Sequence, residues 1–81
     1  MNLLEAIRCT ISFTIKRGHT SMRAIIMQSV IYAEVGKELY CKSFTGETSV
    51  KSIINILAKD NVMVRVDQES LPDVIDIECT W

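Results

Sequence analysis

The hydrophobic pattern of residues 3–17 fits two periods at once. Ile7, Cys9, Ile11, Phe13 and Ile15 alternate with Arg8, Thr10, Ser12, Thr14 and Lys16, as in a strand. Leu4, Ile7, Ile11 and Ile15 also form a helical stripe, with Ala6, Cys9 and Phe13 on the opposite side. Lys16 and Arg17 before Gly18 suit a helix end, and the helix is favoured mostly because of the layout of the elements that follow. Such a helix, apolar on two sides, would lie between its own domain and a partner subunit. The strand remains the alternative, and it would give an α+β fold with an N-terminal strand joining the terminal hairpin.

Further along, Thr20 or Ser21 caps a second helix that runs to Val35, with Gly36 ending it. Met22, Ile25, Ile26, Ser29, Val30 and Ala33 line one face, and Ala24, Met27, Ile31 and Val35 cover much of the rest, as in a central helix. Lys37–Ser43 is a short helix candidate, followed by a turn at Phe44–Glu47. Thr48 opens a helix to about Asp60, in which Val50, Ile53, Ile54 and Leu57 fall at i, i+3, i+4 and i+7. Val62–Val66 reads as a strand, Asp67–Asp73 as a polar loop containing Pro72, and Val74–Cys79 as a returning strand.

These elements predict a single domain over residues 1–81, mainly α with a small β-hairpin, in winged helix-turn-helix order. The stretch Glu38-Leu39, then Thr48-Ser49-Val50-Lys51-Ser52-Ile53-Ile54-Asn55-Ile56-Leu57, then Asn61-Val62-Met63-Val64-Arg65-Val66 resembles MarR-type and related bacterial winged-helix regulators. Those proteins often carry an E-L pair, a turn, an S-T-V-S-R-I-V-x-x-L helix and an x-G-L-V strand. Asn61 stands where the pattern usually has glycine, and asparagine tolerates the same left-handed backbone.

The resemblance implies a homodimeric DNA-binding regulator, most simply a repressor. Thr48, Ser49, Lys51, Ser52, Asn55 and Lys59 of the helix at 48–60 would meet double-stranded DNA, together with Arg65 of the wing. Leu4, Ile7, Ile11, Ile15 and Trp81 would form the dimer interface. Charge changes this picture in one place. The net charge is -1, and the wing carries Asp67, Glu69 and Asp73 against Arg65. Carboxylates there repel phosphates. The acidic wing opens a second reading, a winged-helix protein-interaction module such as a phage or plasmid accessory protein binding a host complex.

Chemistry adds little. The three cysteines, Cys9, Cys41 and Cys79, are far apart and form no C-x-x-C pair, which suits thiols in a reducing cytoplasm. His19 sits alone beside Gly18 with no ligand spacing around it. No nucleophile elbow, P-loop, dinucleotide fingerprint or zincin motif is present. The expectation is a non-enzyme without metal or cofactor. No run reaches the length of a membrane span and the N-terminus does not read as a signal peptide, so a cytoplasmic place is expected, with no membrane partner.

Overall fold

A computed structural model describes residues 1–71 and 74–81, without the side chains of residues 68–71. Of the polar loop expected over 67–73, Pro72 and Asp73 lie outside the described residues, as does the side chain of Glu69, and residues 67–71 are strand rather than loop. The elements run α1 (Leu3–Lys16), β1 (Ser21–Met27), β2 (Val30–Val35), β3 (Glu38–Ser43), α2 (Lys51–Lys59), β4 (Met63–Leu71) and β5 (Val74–Thr80). The strands form a five-stranded sheet in the order β3-β2-β1-β5-β4, with every neighbouring pair antiparallel.

This overturns the mainly α winged helix. The chain is an α+β domain, and the alternative with an N-terminal strand also fails, because residues 3–16 are helical. The helix expected over 20–35 is instead the β1–β2 hairpin, and the short helix expected over 37–43 is β3. The reason lies in residue type. Ile25, Ile26, Val30, Ile31 and Val35 are β-branched and fit a pleated surface better than a helix interior. Met22, Ala24 and Ile26 of β1, with Ile31, Ala33 and Val35 of β2, alternate as buried positions. The hairpin turns at Gln28 and Ser29, with φ of 50° and 62°, between the paired Met27 and Val30. Positive φ at both central residues belongs to the turn whose twist matches a hairpin.

Both helices lie on one face of the sheet. α1 rests on β1, β2 and β3, and α2 rests on β4. Leu3, Ala6, Ile7 and Ile11 of α1 and Ile53 and Leu57 of α2 share one buried cluster with the inward residues of β1, β2 and β5. α1 starts with a capping box between Asn2 and Glu5, which satisfies otherwise unpaired N–H groups. Its buried Thr10 and Thr14 hydroxyls donate back to the carbonyls of Ala6 and Thr10, so neither is an unpaired polar group in the core.

α2 ends in a six-residue closing motif. The Val62 N–H donates to the Leu57 carbonyl and the Asn61 N–H to the Ala58 carbonyl, while Asn61 takes φ 63°. The left-handed asparagine expected from the sequence is therefore present. Asn61→Val is expected to lower stability by about 1–2 kcal/mol, because a β-branched side chain resists that backbone. Asn61→Gly should at least match the natural protein. Urea unfolding of the two variants checks the order.

Candidate functional site

The helices cover one face of the sheet and leave the other open. On the open face the outward residues of β1 are Ser21, Arg23, Ile25 and Met27. Register carries Ile25 across to Tyr32 and Cys41 on one side and to Asp76 on the other. Ile25 is 44% exposed and Leu39 65%; exposed apolar side chains also occur singly elsewhere on the chain, and these two are set apart by sharing one surface. A depression of about 300 Å³ lies here, lined by Arg23, Ala24, Ile25, Tyr32, Glu34 and Leu39.

Beside this apolar half stands a closed ring of charge. Arg23 lies opposite Glu78, and Glu78 opposite Arg65, on three neighbouring strands. The register of β4 against β5 shifts between Val66 and Gln68, so Asp67 is the extra residue of a bulge, which re-aims a side chain. The Asp67 carboxylate accepts from Arg23 at 3.0 Å and from Arg65 at 2.9 Å. The Glu78 carboxylate meets Arg65 at 3.2 Å and Arg23 at 3.7 Å. Two guanidinium groups and two carboxylates neutralise one another, with the arginines mostly exposed and the carboxylates largely covered.

Partial desolvation raises the Asp67 pKa, but the hydrogen bonds and charges of Arg23 and Arg65 outweigh it and hold the carboxyl below its usual value. A depressed carboxyl contributes stability above its unfolded pKa and loses it as pH falls through the folded one. The difference in urea midpoint between the natural protein and Asp67→Asn is therefore expected to shrink between neutrality and about pH 2. A difference constant over that range would contradict the ring.

The residues expected to touch DNA divide between the two faces. Thr48, Ser49, Lys51, Ser52, Asn55 and Lys59 are exposed at the start and along the outer side of α2. Arg65 lies on the opposite face of the sheet, bound into the ring. The element directly before α2 is the strand β3 rather than the short helix that a helix-turn-helix needs. Another depression, of about 240 Å³, brings Thr48, Ser49, Val50 and Lys51 to Val66 and Ile75.

The expected dimer residues are also dispersed. Ile7 and Ile11 face the sheet as core, Leu4 is half-buried, and Ile15 is half exposed. Trp81 is tied to its own chain, its indole N–H donating to the His19 carbonyl at 3.1 Å. His19 itself is exposed in the turn after α1. Burial pushes the Cys79 thiol up to about 11, with the Glu78 carboxylate adding to it, which makes Cys79 a poor nucleophile. Among the described residues, no group of His, Cys, Asp and Glu is placed to hold a metal, and no helix is long and apolar enough to cross a membrane.

Sequence reading missed Ile25, Tyr32, Leu39, Arg23 and Glu78 as surface partners. The signal that finds them is the two-residue alternation of Met22, Ala24 and Ile26, which puts Arg23 and Ile25 on the opposite side.

No family model, curated protein or solved structure matches this chain.

Proposed function

We propose that this chain is a protein-interaction module that presents the open face of its sheet to a protein partner. The observation that carries this reading is the exposure of Ile25 and Leu39 around an apolar depression, on the face the helices leave free. The ring beside it adds directional hydrogen-bond donors without net charge. An apolar centre bordered by arginine is the usual anatomy of a protein interface. The partner then presents an apolar segment flanked by acceptors.

DNA binding keeps one supporting observation, the exposed Lys51, Ser52, Asn55 and Lys59 on α2. It loses the wing, because Arg65 is held by Asp67 and Glu78.

A photo-activatable phenylalanine analogue in place of Tyr32, and separately in place of Asn55, tests the reading in living cells. The sheet-face position is expected to give one discrete protein adduct and the α2 position none. Adducts from position 55 alone, or DNA retardation that falls steeply with salt, would overturn it.

A further inference from the structure

The sheet ends on β3 at one edge and on β4 at the other. β4 carries the Asp67 bulge and a second register shift between Gln68 and Leu71, and a bulged edge is a poor template for another strand. β3 is different. It pairs with β2 at every position from Glu38 to Ser43 without an irregularity.

Hydrogen-bonded and non-bonded pairs alternate along antiparallel strands. The Phe44 N–H donates to the Ser29 carbonyl at 2.9 Å, one step beyond the Val30–Ser43 pair. The even-numbered residues of β3 are thus the ones bonded to β2. The N–H and C=O groups of Leu39, Cys41 and Ser43 point out of the sheet. One end of this row is closed by the turn at Gly36 and Lys37. The other is closed by Met1, whose carbonyl accepts from the Thr45 N–H at 2.8 Å.

We infer that this row pairs with the same row of a second copy, antiparallel, about a two-fold axis at Cys41. The row is centred on Cys41, so the pairing that uses all of it sets Cys41 against its own counterpart and Leu39 against Ser43 of the second copy. Each such pair exchanges both backbone bonds. On the other side Tyr40 comes opposite Lys42, an aromatic ring against an ammonium group, and no like charges stand directly opposite. Glu38, just outside the row, is already bound to Arg17 at 2.7 Å. The exposed Leu39 gains cover, and one continuous sheet runs through both copies. Leu39 belongs both to this edge and to the proposed partner face, but the pairing rests on the backbone groups of β3 and not on that face.

Cys41 is the reporter. Residues in a hydrogen-bonded antiparallel pair have Cα atoms about 5.5 Å apart, within the roughly 4.4–6.8 Å that a disulfide spans. Cys41 is exposed, whereas Cys79 is buried. The purified chain is sized by light scattering and then treated with a mild oxidant or a short bis-maleimide. The expected result is a dimer mass, with a covalent dimer that Cys41→Ser abolishes while the mass is unchanged. Leu39→Lys with Ser43→Lys places like charges opposite each other and is expected to halve the mass with the circular dichroism spectrum retained. Leu39→Lys with Ser43→Glu places opposite charges there and restores the dimer, which keeps the test decisive if the first pair folds poorly. A monomer mass at high micromolar concentration, cross-linking through Cys9, or equal masses for the two charge variants would overturn the inference.

Discussion

Replacing Ile26 by alanine is expected to cost about 2–5 kcal/mol of folding stability, as deletion of buried isoleucine side chains does elsewhere. Ile26 is fully buried on the central strand β1. Register places it opposite Ile31 of β2 and Ile75 of β5, so one row of isoleucines crosses three strands beneath the helices. Alanine would open a cavity in the middle of that row, where strands held on both sides cannot close in. A domain of this length has roughly 4–12 kcal/mol in total, and the variant should melt about 10 °C or more below the natural protein. Ile25→Ala, one residue away, should cost only about 1 kcal/mol, because its side chain stands on the open face. Equal losses at the two positions would contradict a strand, since only alternation separates neighbours so sharply.

The second large effect is on binding. Ile25→Lys is expected to abolish the protein adduct formed from position 32 while the melting temperature stays within a few degrees. Ile25 sits at the centre of the exposed apolar group, and central apolar anchors carry about 2 kcal/mol or more of an interface, roughly 30-fold in affinity. A lysine there would have to be desolvated on docking. In the free protein it lies across from Asp76 in the register, a neighbour of opposite charge, so the fold tolerates it. Retention of the adduct in Ile25→Lys would place the partner elsewhere.

The legibility of this chain differed by element. α1 was only half legible: Lys16 and Arg17 before Gly18 suited a helix end, but the preference for a helix leaned mostly on a winged-helix layout that the sheet overturns, and Thr10 and Thr14 mimic the polar half of a strand. Their hydroxyls return to the helix backbone, and that is how polar residues come to face the core. α2 was plain, because Val50, Ile53 and Leu57 are buried and its lysines are exposed. The terminal hairpin was legible from alternation, but its first strand runs on to Leu71, through residues whose polarity read as a loop. Residues 21–43 were not legible. Their strands have apolar side chains on both faces, since the open face carries Ile25, Tyr32 and Leu39, and a run apolar on both sides fits a buried helix equally well. The turn between β1 and β2 is Gln28-Ser29 rather than a sequence with asparagine and glycine, so the usual hairpin signal was missing. The open-face site was hidden for the same reason. It exists only once β1, β2 and β3 lie side by side, and the ring of Arg23, Arg65, Asp67 and Glu78 joins residues that are far apart in the chain.

The β1–β2 hairpin is the element on which the open face and its neighbours depend, and its turn gives a test whose sign differs between strand and helix. Gln28→Asn with Ser29→Gly supplies residues suited to φ of 50° and 62°. The natural side chains there resist a left-handed backbone by about 1 kcal/mol. Thermal unfolding of the double variant is expected to rise by about 4–8 °C. In the interior of a helix the same exchange would introduce glycine at a loss of about 1 kcal/mol, and a melting temperature that falls would contradict the hairpin and the sheet built around it.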